Sequence, residues 1–412
     1  MKKYKYVIIG GGTTAGYAAK EFVKQGLNKG ELCIISAENI LPMDRPPLSK
    51  DFITTDMDRK DILVNDSDFY NNHGIDILLN VRADSIDFED KVVALNKGSK
   101  IGYDKLLIAT GAELRYLAVN GHTLNNIHYL RTIEDAENIR KAAREASKIV
   151  VIGSQYIGTE MASSLKQLGK EVTMVYPEDR LLSKFASADI AGFLQNYYRD
   201  QGIELINHDE VVQFNGNKKV EEVELRSDNI IKADMVVAGI GVKPNINAVK
   251  KTNIALNDGI LVNAYLETNI PDVYAAGDVA RFPDKTFDQL RRVEHWENAF
   301  KQGKHAAKVL SGQKEPYEFL PFFFSDIFDL SYEYYGDNKE ADTVFNRGDV
   351  KAGDFSTWWF RNDVPVAAFI MSSRPEVEGE KAREWISNQS ILEAEKIENE
   401  DIELHDMIIK EG

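Results

Sequence analysis

Apolar positions along this chain fall into two periods, and the change from one to the other comes at glycine. Val7-Ile8-Ile9 and Val150-Val151-Ile152 are uninterrupted β-branched runs, the pattern of a parallel strand buried on both faces. The first stops at Gly10-Gly11-Gly12 and the second at Gly153-Ser154-Gln155, and helical patterns follow with small residues on their first turns, Ala15-Gly16 and Gly158. Strand, glycine turn and helix start predict a βαβ phosphate-binding unit. Glycine permits the tight turn and brings backbone N–H groups to a pyrophosphate, whose charge the helix N-terminus stabilises. Aligning Gly10 with Gly153 also superposes Gly26 on Gly169, so the match extends past the turn. One copy would be explained as well by a structural glycine turn; two with matching flanks predict two dinucleotide sites.

The first unit runs from Lys3 to Ser36 and ends at Glu38, which either accepts hydrogen bonds from an adenosine ribose or is a solvated loop-end charge. Three prolines in the segment Leu41 to Lys50 predict a rigid extended path, with a helix beginning near Ser49. The strand Lys105 to Ala109 ends at Thr110-Gly111, a second backbone approach to the nucleotide. A helix over Ile133 to Ser147 introduces the second fingerprint, and the strand Asp234 to Ala238 with Gly239-Ile240-Gly241 closes it. The segment Thr268 to Val279 then returns to strand and turn. This order predicts a discontinuous first domain, 1–113 with 245–315, interrupted by a second at 114–244. The aromatic-rich, antiparallel texture from Pro316 predicts a third, α+β domain over 316–392, and the acidic end, 393–412, reads as a peripheral helix or frayed tail.

A length of 412 residues suits two or three domains, and 43% hydrophobic with 28% charged residues suits a globular protein. No apolar run is long enough for a membrane span, and Lys2-Lys3 leads straight into the first strand, so a cytoplasmic location is expected. A net charge of −16 opposes attraction to nucleic acid or anionic lipid. Cys33 is the one cysteine and sits in the strand-like Leu32-Cys33-Ile34-Ile35, so neither an intramolecular disulfide nor a redox-active dithiol can form.

The two fingerprints, Arg45-Pro46-Pro47-Leu48-Ser49-Lys50, Ala275-Ala276-Gly277-Asp278, Glu294-His295 and Leu320-Pro321-Phe322-Phe323-Phe324-Ser325 together resemble the FAD-dependent pyridine nucleotide-disulfide oxidoreductases. Within them the likeness is to the branch of monodehydroascorbate reductase, apoptosis-inducing factor and ferredoxin reductase. It implies an α/β fold of two Rossmann-like nucleotide-binding domains, glutathione-reductase-like, plus a C-terminal α+β interface domain. It also implies FAD and NADH as cofactors, NADPH being less favoured, with hydride passing from nicotinamide to flavin and electrons leaving directly for a small acceptor: a quinone-like molecule, a radical or a small redox protein such as an iron–sulfur protein. An alternative is a redox sensor resembling apoptosis-inducing factor, whose reduction by NADH controls assembly.

By this resemblance FAD is held by Gly10, Gly12, Ala15 at the third glycine position, Glu38, Arg45, Lys50, Ala109, Thr110, Gly111, Asp278, Glu294, His295 and Trp296. NAD is held by Gly153, Gln155, Tyr156, Ile157, Gly158, Glu160, Glu178 and Gly241. Gln155 replaces the middle glycine and projects onto the face a pyrophosphate approaches. Glu178, about 20 residues past Gly158, is placed to bind ribose hydroxyls and repel a 2′-phosphate, with Arg180 close enough to soften the preference. In the catalytic set, Lys50 approaches the flavin and pairs with Glu160, Tyr156 is an aromatic gate, Phe324 covers the flavin region and His295 lines the nicotinamide side. Each has a plainer reading: a solvated lysine, a glutamate favoured by the helix dipole, two core aromatics and a structural histidine. No His, Asp or Glu is spaced about His295 as a metal site requires, so no metal is expected. Plant monodehydroascorbate reductases are expected to hold their radical with an arginine and a tyrosine where this chain has Phe300 and Phe324.

Overall fold

A computed structural model describes residues 1–410, which divide into two compact units. One comprises Met1–Pro46, Asp58–Glu113 and Val242–Phe319; the other comprises Pro47–Met57, Leu114–Gly241 and the chain from Leu320 onward.

The first unit is built on a seven-stranded sheet. Asp76–Leu78, Leu32–Ile35, Lys2–Ile9 and Lys100–Ile108 lie side by side and parallel in that order, and Val273–Ala275 adds a further parallel strand beside Lys100–Ile108. Val7, Ile8, Leu32, Cys33 and Ile34 have no exposed area, as strands covered on both faces require. Burial pushes the Cys33 thiol up to about 12, which leaves it protonated and unreactive. The fingerprint helix Thr13–Lys24 packs on the helix Trp296–Leu310. Gly303 permits this approach: a Cβ there would lie 2.3 Å from the Thr14 carbonyl oxygen.

The second unit repeats the construction. Its parallel sheet runs Glu204–Ile206, Glu171–Val175, Lys148–Ile152, Met235–Ala238, Ile127–Tyr129, so the second fingerprint strand is central, with Val151 opposite Met174 on one side and Val237 on the other. From Phe322 the chain forms a five-stranded antiparallel sheet in the order Phe322–Ile327, Leu330–Gly336, Val364–Met371, Asp354–Arg361, Thr343–Asp349, with the helix Pro375–Asn388 packed against it. Trp358 and Trp385 meet at 5.4 Å between ring centres.

The end of the chain differs from the expected peripheral helix or frayed tail. Ile391–Leu392 pairs antiparallel with Ile408–Lys410, and two 3-10 turns, Ala394–Glu398 and Leu404–Met407, bury Leu392, Ala394, Ile397, Leu404 and Met407. The reason is a buried cation elsewhere in the sequence. Both terminal nitrogens of Arg347 donate to carbonyls of this segment, Nη1 to Ile397 at 3.1 Å and Asn399 at 2.8 Å, Nη2 to Glu400 at 3.3 Å and Ile402 at 3.1 Å. Residues 411–412 of the predicted tail lie outside the described residues. Among the described residues no helix is long and apolar enough to cross a membrane, and no group of three His, Cys, Asp or Glu side chains is placed to hold a metal ion.

Candidate active site

In the first unit the glycine turn forms a cradle that side chains could not enter. Gly10 has φ +130°, and a Cβ on it would stand 2.0 Å from the Ala109 carbonyl oxygen, so the Ala109-Thr110-Gly111 segment abuts the turn. Thr110 Oγ1 donates to the Asn245 carbonyl at 2.6 Å and fixes that segment. Ala15, at the third glycine position, is fully buried. The Arg45 guanidinium lies beside Gly12, with Nη2 3.6 Å from where a Cβ would be, and it pairs with Glu38 Oε1. Glu38 Oε2 is buried with no hydrogen-bond partner among the described residues. A carboxylate oxygen withheld from water is costly unless a donor reaches it. Ribose hydroxyls are such donors and a pyrophosphate would complement Arg45, so the residues fit an adenine dinucleotide.

Asp278 follows Gly277, whose N–H donates to Gln302 Oε1 at 2.8 Å, while the Asp278 carbonyl accepts from Arg292 Nη1 at 3.2 Å. Glu294 is exposed and engaged by Arg292, which also holds Asp258. His295 stands in extended conformation as the cap of the helix Trp296–Leu310. Trp296 Nε1 donates to Asp44 Oδ1 at 2.6 Å, and Tyr17 donates to Asp44 Oδ2 at 3.3 Å. Burial raises the Asp44 carboxyl against these bonds. Asp44 and Tyr17 were not anticipated; the available signal was a carboxylate inside the proline-rich loop, next to Arg45. Phe300 packs against Trp296 at 4.8 Å and Tyr17 at 5.2 Å.

In the second unit a Cβ on Gly158 would lie 2.1 Å from the Gly153 carbonyl oxygen, so this position admits glycine alone. Ile157 is exposed beside it, and the Gly241 carbonyl accepts from the Arg115 N–H at 3.0 Å. Gln155 is the helix cap, and its side chain is held: Nε2 donates to Ser154 Oγ at 3.0 Å and Ser183 Oγ at 3.2 Å. Ser154 Oγ in turn donates to Glu178 Oε2 at 2.9 Å, which joins the fingerprint turn and the acidic residue in one network. Gln155 Oε1 is buried without a partner among the described residues, an acceptor that fits a ligand donor. Arg180 pairs with Asp179 at 3.2 Å.

The second unit also brings Lys50, Glu160 and Phe324 together. Glu160 is 7% exposed on the second fingerprint helix, and its oxygens accept from Ser325 Oγ at 2.6 Å and from Ser49 Oγ. Ser49 is itself fixed, its carbonyl accepting from Ser164 Oγ at 2.7 Å. Lys50 Nζ lies 3.4 Å from Glu160 Oε1, 2.9 Å from Asp326 Oδ2 and 5.0 Å from the centre of the Phe324 ring. Burial raises the Glu160 carboxyl, while Lys50, Ser325 and Ser49 oppose the shift. Tyr156 meets Phe323 edge-on at 4.5 Å and stacks toward Phe185 at 6.0 Å; burial holds its phenol well above the usual range. Ser49, Ser325 and Asp326 were missed, although Ser49 and Ser325 adjoin residues that were singled out, Lys50 and Phe324, and Asp326 follows two places after Phe324.

Residues 4–303 match the family described as pyridine nucleotide-disulphide oxidoreductase, and residues 320–405 match the monodehydroascorbate reductase 3-like C-terminal domain. The monodehydroascorbate reductase seedling isozyme of Cucumis sativus is 36% identical, over 99% of this chain and 97% of its own. Among solved structures, the covalent putidaredoxin reductase–putidaredoxin complex superposes with a TM-score of 0.93 at 27% identity and covers 98% of both chains. A ferredoxin reductase from Rhodopseudomonas palustris gives 0.92 at 28% identity, over 98% of this chain and 99% of that one. With two glycine cradles in one chain and a family match across most of its length, the protein belongs to the pyridine nucleotide-disulphide oxidoreductase family.

Proposed function

We propose that this protein oxidises NADH by way of a bound FAD and passes the electrons directly to a small acceptor, with no cysteine relay. One observation carries the reading: the chain has two dinucleotide cradles and a single thiol, which is locked in a strand. When bound, NADH supplies a hydride and FAD takes it up and releases electrons to the acceptor.

The remaining roles fall to the chain itself. In this reading 1–113 with 245–315 form the FAD-binding domain, 114–244 the NAD-binding domain and 316–392 the third. Gly10, Gly12, Ala15 and Ala109 to Gly111 give close backbone approach, Arg45 neutralises phosphate charge, Glu38 accepts from ribose, and Asp278 with the 294–296 segment holds the rest of FAD. Gly153, Ile157, Gly158 and Gly241 line the NAD cradle, and Gln155 and Glu178 present acceptors to its sugar. In the second unit Lys50 and Glu160 form a polar centre, with Tyr156 and Phe324 excluding water; in the first, His295 has the nicotinamide-side role that the family resemblance implies. A small redox protein is one acceptor class that fits, and a cytoplasmic location is part of the proposal.

Purified protein is expected to carry one non-covalent FAD per chain, bleached by NADH under anaerobic conditions. A folded, colourless protein that does not take up added FAD would refute the reading.

A further inference from the structure

Sequence reasoning gave Lys50 one partner, and the structure gives it two. Its ammonium lies closer to Asp326, at 2.9 Å, than to Glu160, at 3.4 Å. The two carboxylates stand in different surroundings. Glu160 is buried on the fingerprint helix, whereas the Asp326 side chain is half exposed on the strand Phe322–Ile327. Asp326 is also braced, its Oδ1 accepting from Ser331 Oγ at 2.8 Å. Lys50 is 13% exposed, with the Phe324 ring beside it, so its side chain has little freedom to leave the pair.

We propose that Asp326 is a positioning residue that draws the Lys50 ammonium away from Glu160, so that one cation is shared by two carboxylates instead of belonging to the buried one alone. This rests on the Lys50–Glu160 pair of the proposed function and deepens it. A buried carboxylate needs a close, full counter-charge to remain ionised, and a cation held toward a second anion supplies less of it. Asp326 is half exposed, so water as well as Lys50 solvates it. Glu160 is therefore the carboxylate short of counter-charge, and the Asp326 charge sets how short.

The other groups facing Glu160 do not alter this order. Ser49 and Ser325 donate neutral hydrogen bonds, from the short 3-10 turn Pro46–Ser49 and from the strand Phe322–Ile327, and Tyr156, Tyr198 and Tyr332 are phenols that burial keeps protonated. The raised Glu160 carboxyl agrees with incomplete compensation.

The test is an infrared pH titration, from about pH 5 to pH 9, of the oxidised flavin-loaded protein, following the protonated-carboxyl band that Glu160→Gln abolishes. Asp326→Asn should move its midpoint down by about one pH unit, because Lys50 is then free to close on Glu160. Asp326→Glu should restore it. FAD content and thermal midpoint equal to the parent's identify Asp326→Asn as folded, as expected for a half-exposed side chain; Asp326→Ser serves equally if they are not. A midpoint unmoved by loss of the Asp326 charge overturns the proposal. So does the absence of any Glu160-dependent band in the parent, since Glu160 would then be fully compensated. The titration needs no turnover, so failure to react with NADH would count against the proposed function and leave this result standing.

Discussion

Glu160 shows how one side chain acquires its chemistry from its neighbours. Its position on the first turns of a helix was readable from spacing, but its burial and its two serine donors came from segments distant in sequence. Burial raises its carboxyl, so the protonated form is favoured in the folded state. The stability this contributes is complete below the carboxyl's unfolded value and is lost as pH rises through the folded value. Glu160→Gln should therefore gain stability relative to the parent as pH rises across that window, read as urea midpoints at successive pH values; a constant difference would show that Glu160 titrates normally. Lys50→Met and Glu160→Gln should each slow flavin reduction by NADH, and the double change should cost less than the product of the two, because both act through one pair. Fully multiplicative rates in stopped flow would separate them. Glu178 presents a second case. Its carboxylate is linked to the fingerprint turn through Ser154, and Arg180 is engaged by Asp179. NADH should reduce the flavin faster than NADPH, and Glu178→Ala should narrow the gap by removing repulsion of the 2′-phosphate. Equal rates in the parent would show that Glu178 does not face the ribose.

Elements with strong periodicity were legible, and elements stabilised by a distant partner were not. The fingerprint strands and helices follow from β-branched runs and glycine turns, since a fully buried parallel strand tolerates little else. The C-terminal segment has no such signature. Its acidic residues read as solvent-facing, yet its apolar residues are buried and its carbonyls close around Arg347. Arg347 also lies 4.0 Å from the buried Glu378, whose carboxyl burial raises. Arg347→Ala would remove that carboxylate's counter-charge and take a donor from four carbonyls. It should cost about 3–5 kcal/mol in urea unfolding and open amide exchange across residues 391–410. A loss within about 0.5 kcal/mol would mean that the segment holds by its apolar contacts alone.

At the scale of the whole molecule the open matter is the acceptor. By the family resemblance an anionic, hydroxyl-rich radical would be held by an arginine and a tyrosine; this chain has at those positions Phe300, packed in the first unit against Trp296 and Tyr17, and Phe324, in the second unit beside a lysine shared by two carboxylates. Phenylalanine rings offer neither guanidinium nor hydroxyl donors and suit a flat, uncharged molecule. Quinone-like acceptors should turn over faster than the ascorbyl radical at matched NADH, and Phe324→Tyr should raise ascorbyl turnover. Efficient ascorbyl reduction by the parent, unchanged in Phe324→Tyr and Phe300→Arg, would place the acceptor elsewhere. Much of the molecule was determined by local sequence: two nucleotide cradles, because glycine alone fits where backbone meets backbone, and the absence of a dithiol, because a single cysteine cannot supply one. Tertiary structure alone decided that Asp326 competes for Lys50, that Gln155 is tied to Ser154 and Ser183, and that Arg347 gathers the chain's end. Those outcomes depend on which polar groups are left together once apolar surfaces have packed, where burial makes an unpartnered group costly.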